Sequence, residues 1–192
     1  MSLSALSPVQ IAIIIAVAVL LVAGIAILFS IRKRKTERLR TQFGGAEYTR
    51  AVKEGGSQQQ AEVALDKRVD RVESFHIQPL GSGDRARFVE SWRRVQAQFV
   101  DGPGGAVTEA DQLLRDVMST RGYPVGDFAQ RAADISVDHP LVLENYRSAH
   151  EIAVRQSQGQ GSTEDLRQAM IHYRTLFEEL VGESELARAK TA

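Results

Sequence analysis

The sequence predicts an all-α protein in which an N-terminal transmembrane helix precedes an antiparallel bundle of about five to six helices. Residues 11–31 contain no charged side chain. After residue 56, apolar residues recur at spacings of three and four, which is the period of an amphipathic helix. The chain shows no sustained alternation of apolar and polar residues, the pattern typical of a strand.

The first predicted element is the transmembrane helix at residues 11–31. At about 1.5 Å per residue these positions reach about 31 Å, close to the roughly 30 Å hydrocarbon core of a bilayer. A cleaved signal peptide would carry its basic residues before the apolar run. Residues 1–10 have no charged side chain, so we expect a permanent single-pass anchor.

The residues that follow the span predict its orientation. Glu37 is the only acidic residue among six basic ones, Arg32, Lys33, Arg34, Lys35, Arg38 and Arg40. Basic residues beside a span stay on the cytoplasmic side. We therefore expect the N-terminus outside the cell membrane and residues 32–192 in the cytoplasm. The same cluster can attract anionic head groups of the lipid bilayer, unless it is only a topology signal.

Glycine pairs and composition predict the domain boundaries. Residues 1–10 form a short N-terminal segment, and residues 32–56 form a basic juxtamembrane linker that ends at Gly55-Gly56. The helical bundle is predicted at 57–182, and a flexible tail follows at 183–192.

Helix signals divide the bundle. The first helix is predicted from Ser57 to Phe75, before Pro79 disfavours helix. Ser82 is the predicted N-cap of the second helix, whose apolar seam is Phe88, Trp92, Val95 and Phe99. We expect residues 101–105 to form a turn and a third helix to run from Ala106 to Arg121.

Three further helices are predicted after Gly122, the expected stop of the third. Asp127 can cap a short helix, and Asp138-His139-Pro140 is expected to open the next one, with Pro140 in its first turn. Ser162 or Thr163 is the predicted cap of the last helix, and Gly182 is its predicted end.

Between Phe43 and Leu180 a set of short patterns resembles an uncharacterised family of bacterial single-pass membrane proteins. The patterns include Glu47-Tyr48-x-Arg50, Trp92-x-x-Val95-Gln96, Arg121-Gly122-Tyr123-Pro124, Asp138-His139-Pro140 and Tyr146-Arg147-x-Ala149-His150. The resemblance implies an N-terminal anchor and a helical domain, and it implies no activity, cofactor or catalytic residue. Gly44-Gly45-Ala46 departs from the likeness, which leads us to expect a proline next to the acidic residue that follows, Glu47.

Charge and composition exclude several functional classes. Residues 41–192 carry 18 basic and 23 acidic side chains, so this part of the chain lacks the basic footprint of a nucleic-acid binder. The chain contains no cysteine, which excludes disulfides, thiol catalysis and cysteine-ligated metals.

The histidines offer few signals of chemistry. His76 is expected to interact with a helix C-terminus and His139 to take part in a helix cap. Glu144 and His150 are six residues apart, which does not match the helical spacings of metal sites. The glycines at 81–83 and 102–105 lack the ending of a P-loop. No metal or cofactor is predicted.

Three hypotheses for function remain open. The first is a non-enzymatic interaction or scaffold module whose partner is a cytoplasmic protein or a second copy. The second is a small-ligand-binding or enzymatic bundle with a buried site formed by His139, Tyr146, His150 and Tyr173. The third is a lipid-surface module built on the basic segment.

Overall fold

The part of the chain that the structure describes consists of helices joined by short loops. The computed structural model describes residues 8–182, without the side chains of residues 8–11 and 13. The helices are α1 (Pro8–Gly55), α2 (Gln58–Glu73), α3 (Ser82–Gln98), α4 (Pro103–Arg121), α5 (Phe128–Asp138), α6 (Leu143–Ser157) and α7 (Thr163–Val181). Residues 8–182 contain no strand, and six helices follow α1. The predicted fold class is confirmed.

The N-terminal part of α1 is apolar on every side. Its most apolar stretch is not buried within the chain, and Leu20 and Phe29 are 72 % and 71 % exposed. A core helix of a soluble domain would bury at least one face. By length and composition α1 could therefore cross a membrane.

The predicted linker at residues 32–56 is helical, and it is divided between two compact units. The first unit extends to Gln42 and the second begins at Phe43. Helical geometry is interrupted at Gly44, whose φ of 70° and ψ of 161° lie outside the helical region.

The bundle unit therefore begins at residue 43 instead of the predicted residue 57. Phe43, Tyr48 and Ala51 are buried in it, with exposures of 1 %, 4 % and 6 %. The Tyr48 hydroxyl donates a hydrogen bond of 2.8 Å to Glu62 on α2. The composition of residues 43–56 is polar enough for a linker, but these few apolar side chains are sufficient to dock it.

Side-chain caps begin three helices where the sequence predicts them. Ser57 accepts a hydrogen bond from the Gln60 amide, and Asp127 accepts one from the Gln130 amide. Ser162 forms a reciprocal capping box with Asp165. These contacts satisfy amide groups that have no partner within the first turn of a helix.

Three predicted helix starts are wrong. The N-cap of α3 is Gly81 and not Ser82, and it provides no side-chain hydrogen bond. Helix α4 begins at Pro103 instead of residue 106, because proline suits the first helical position. Pro140 lies in a turn before α6, since His139 has a non-helical φ of −129° and ψ of 53°.

The main core lies among α3, α4, α6 and α7, with α5 packed beside α6. The consecutive pairs α3–α4, α5–α6 and α6–α7 pack side by side, α7 also packs against α4, and α2 packs against α5. The predicted aromatic seam of α3 is part of this core. Trp92 is 5 % exposed and stacks on Phe177 of α7, with ring centroids 4.8 Å apart.

Candidate functional site

Residues 32–40 of α1 form the most highly charged segment beside the apolar stretch, and we name them the basic collar. The segment is helical and follows Ile31 without a break. Glu37 is its only acidic residue. All six basic residues predicted to flank a membrane are exposed: Arg32, Lys33, Arg34, Lys35, Arg38 and Arg40. The collar therefore presents its charge to the surroundings of the helix.

Two residues of the predicted ligand pocket lie together in the core. Tyr146 and Tyr173 are fully buried, with ring centroids 6.5 Å apart. The Tyr146 hydroxyl accepts a hydrogen bond of 3.0 Å from Arg131, and the Tyr173 hydroxyl donates one of 3.2 Å to Asp111. Burial raises the pKa of both phenols. Both tyrosines are therefore protonated at neutral pH.

His150 joins this pair through Phe128. The His150 ring stacks on Phe128 at 3.6 Å and 7°, and Phe128 also packs against Tyr146 at 4.9 Å. Burial lowers the pKa of His150, because the partly buried imidazole loses the water that would solvate its cation. Three of the four predicted pocket residues thus share one aromatic cluster.

His139 belongs to a different group of side chains. Its Nδ1 lies 3.1 Å from Glu179, and its Nε2 lies 3.4 Å from the Arg121 guanidinium. A guanidinium can only donate, so Nε2 accepts and Nδ1 carries the proton that faces Glu179. Arg121 also donates to the Leu180 carbonyl at 3.1 Å. His139 is the C-cap of α5, so the prediction that it opens the next helix is wrong.

The other two histidines lie apart from these groups. His76 is exposed in the loop after α2. His172 pairs with Asn145 at 2.8 Å between Nδ1 and Oδ1. Within residues 8–182, no group of three or more His, Asp or Glu side chains is placed to hold a metal ion.

Helices α3 and α7 border two neighbouring surface depressions that the sequence does not predict. Their volumes are about 180 Å³ and about 170 Å³, and both are lined by Gln96 and Arg174. The first depression lies over the Trp92–Phe177 stack. The second is lined by apolar side chains that include Ile171, which is 44 % exposed. Together they form a shallow groove, which we name the α3–α7 groove.

Comparison with known proteins gives no match. No protein family, curated protein or solved structure is significantly similar to this chain.

Sequence reasoning also missed a buried charge network. Glu47 of α1 is 6 % exposed and accepts hydrogen bonds from Arg68 of α2 at 2.6 Å and from Arg147 of α6 at 3.0 Å. Asp134 of α5, which is fully buried, pairs with Arg71 of α2 at 3.0 Å. No local signal could reveal these pairs, because the partners are between 21 and 100 residues apart.

Proposed function

We propose that the chain is a single-pass membrane protein whose bundle is a non-enzymatic interaction or scaffold module in the cytoplasm. The observation that carries this proposal is the uncharged stretch of α1, of which no part is buried within the chain. Exposed apolar surface is unfavourable in water by about 25 cal/mol per Å². A bilayer removes that cost and requires the helical backbone that α1 has.

An interaction role for the bundle is supported by the α3–α7 groove. One depression of the groove contains the exposed side chain of Ile171, and the neighbouring depression lies over the buried Trp92–Phe177 stack. The alternative of a buried ligand or enzymatic site has less support. Tyr146 and Tyr173 are packed without exposure, and their hydroxyls are hydrogen-bonded inside the bundle.

Membrane anchoring is tested by placing charge in the apolar stretch. We expect the double variant Leu20→Arg/Ile25→Arg to leave the membrane pellet after an alkaline wash, because each arginine costs about 3 kcal/mol near the centre of a span. The matched control is Val63→Arg/Val154→Arg, which changes bundle residues that are 46 % and 41 % exposed. If the first variant stays in the pellet like the control, the apolar stretch is not the anchor.

The proposed orientation can be tested with single cysteines, since the chain has none of its own. We expect a membrane-impermeant maleimide to label Ser4→Cys in intact cells. Val100→Cys, at a position that is 82 % exposed, should react only after lysis. The opposite labelling pattern would contradict the proposed orientation without contradicting the proposed membrane anchor.

Interaction through the groove is tested by site-specific photocrosslinking. A photoreactive amino acid at Ile171 should yield a discrete adduct with one protein or with a second copy of the chain. The control position is Val154 on α6, which is 41 % exposed, compared with 44 % for Ile171. Identical adducts from the two positions, or none from either, would contradict a role for the groove.

A further inference from the structure

The arginines of the bundle and the basic residues of the collar differ in their partners. Ten of the fourteen arginines between residues 43 and 182 form ion pairs with carboxylates. Arg32, Lys33, Arg34 and Arg38 form no hydrogen bond or ion pair with any residue that the structure describes. The collar therefore holds cations that the rest of the described chain does not neutralise.

The helical form of the collar distributes this charge around its axis. Successive residues of a helix are about 100° apart, so Arg32 to Lys35 alone point in four different directions. Arg38 and Arg40 add charge on further sides of the next turn. The positive charge of the collar is therefore not confined to one face of the helix.

The helical form also fixes the distance between the charges and the apolar stretch. At about 1.5 Å per residue, Lys35 lies about 6 Å beyond Ile31 along the axis, and Arg40 lies about 13 Å beyond it. The Debye length at physiological ionic strength is about 8 Å. The first four basic residues thus lie within screening distance of the end of the apolar stretch. A flexible linker would not hold them at this depth.

We propose that the basic collar is a binding site for the phosphate-bearing head groups of anionic lipids. The proposal rests on the membrane anchoring proposed above. The collar would gather lipids such as phosphatidylglycerol around α1 by charge, with little requirement for head-group shape. The bundle would not share this preference, because residues 43–182 carry 16 basic and 21 acidic side chains.

The test uses the purified full chain reconstituted in phosphatidylcholine vesicles with a trace of acyl-chain spin-labelled lipid. Electron spin resonance gives the association of labelled phosphatidylglycerol relative to labelled phosphatidylcholine. We expect a preference of several-fold for the anionic lipid. Each basic residue near the surface contributes up to about fivefold, and 1 M salt should suppress the preference.

Three variants identify the source of the preference. Replacing Arg32, Lys33, Arg34 and Arg38 with glutamine should lower the ratio strongly, because only two of the six basic residues of the collar remain. The charge-preserving variant Arg32→Lys/Arg34→Lys/Arg38→Lys should keep it. The matched control neutralises four exposed arginines of the bundle that do not line the α3–α7 groove, Arg50, Arg87, Arg94 and Arg155, and should behave as the wild type.

The possible failures are distinguishable. Loss of the wild-type chain from phosphatidylcholine vesicles during an alkaline wash would reject the anchor itself. A stably inserted chain with equal association of the two lipids would reject only the collar as a lipid site. If the lipid preference falls equally in the collar variant and in the bundle variant, the preference comes from the overall charge of the chain and not from the collar. Retention of an RNA oligonucleotide by the collar without a lipid preference would also reject the proposal.

Discussion

Helices α1 and α7 are both rich in apolar residues, and they use them in opposite ways. In the apolar stretch of α1 the large side chains point to all sides and are exposed. In α7 the apolar residues form one face, and that face is buried: Leu166, Met170, Tyr173, Phe177 and Leu180. An apolar stripe needs another helix, whereas an apolar cylinder needs a surrounding apolar medium. The distribution of apolar residues around a helix, more than their number, therefore decides whether the helix can pack on one face against other helices.

The largest expected contrast comes from truncating one residue in each region. Phe177→Ala removes a ring that is 1 % exposed and stacked on Trp92, so the free energy of unfolding should fall by about 3–5 kcal/mol. Leu20→Ala, at a position that is 72 % exposed, should change it by less than about 0.5 kcal/mol. Denaturant unfolding in detergent can be followed by the fluorescence of Trp92, the single tryptophan. Similar losses in both variants would abolish the contrast.

A second experiment measures how much the buried ion pairs of Glu47, near the end of α1, contribute to the stability of the bundle. Glu47→Ala leaves Arg68 and Arg147 without their shared carboxylate, and burial already lowers the pKa of Arg147. We expect a loss of about 3 kcal/mol in unfolding free energy. Glu54→Ala breaks the exposed pair with Arg50 and should cost less than about 1 kcal/mol. Equal costs would mean that the buried network does not dock residues 43–55.

A third comparison separates backbone strain from packing in the bundle. Gly122 has φ of 101°, and a Cβ there would meet the backbone carbonyl oxygen of His76. Gly122→Ala should cost about 2 kcal/mol or more, since left-handed backbone alone costs an alanine about 1–2 kcal/mol. Gly159 has φ of 73° with open space around it, so Gly159→Ala should cost only the backbone part. Urea midpoints of the two variants give the difference, and equal midpoints would exclude a contribution from the His76 contact.

The smallest expected effect is a pH dependence of the bundle alone. The folded pKa of His150 is lowered, so its neutral form contributes stability that is fully present above the unfolded pKa of about 6.5. That contribution is lost as the pH falls below 6.5 toward the folded value. His150→Phe, which can retain the stack on Phe128, should reduce the slope of unfolding free energy against pH in this range. An unchanged slope would show that other groups cause the dependence.

Much of the fold could be predicted because its signals are local. The stops at Gly122 and Gly182 follow from glycine, which alone takes the observed φ of 101° and 79° without strain. The caps at Asp127 and Ser162 need only a side-chain oxygen and an amide three residues later. The start of α6 was missed because His139 is held in a non-helical conformation and contacts Glu179, forty residues further along the chain.

The predicted sites also differ in whether they depend on local sequence or on contacts between helices. The collar is one continuous segment of the chain, so its six basic residues can be recognised without knowledge of the tertiary structure. The predicted pocket required knowledge of distances between helices. The structure brings Tyr146, Tyr173 and His150 into one aromatic cluster and places His139 with Glu179 and Arg121.

By itself, the sequence determined the helical class, the apolar stretch with its basic edge, and the apolar seam that α3 buries. These properties depend on residues within a few turns of one another. Only the tertiary structure decided that the bundle begins at Phe43, and that Glu47 lies between Arg68 and Arg147. The physical reason is that burial and charge pairing depend on contacts between helices. A residue's neighbours in the chain do not specify those contacts.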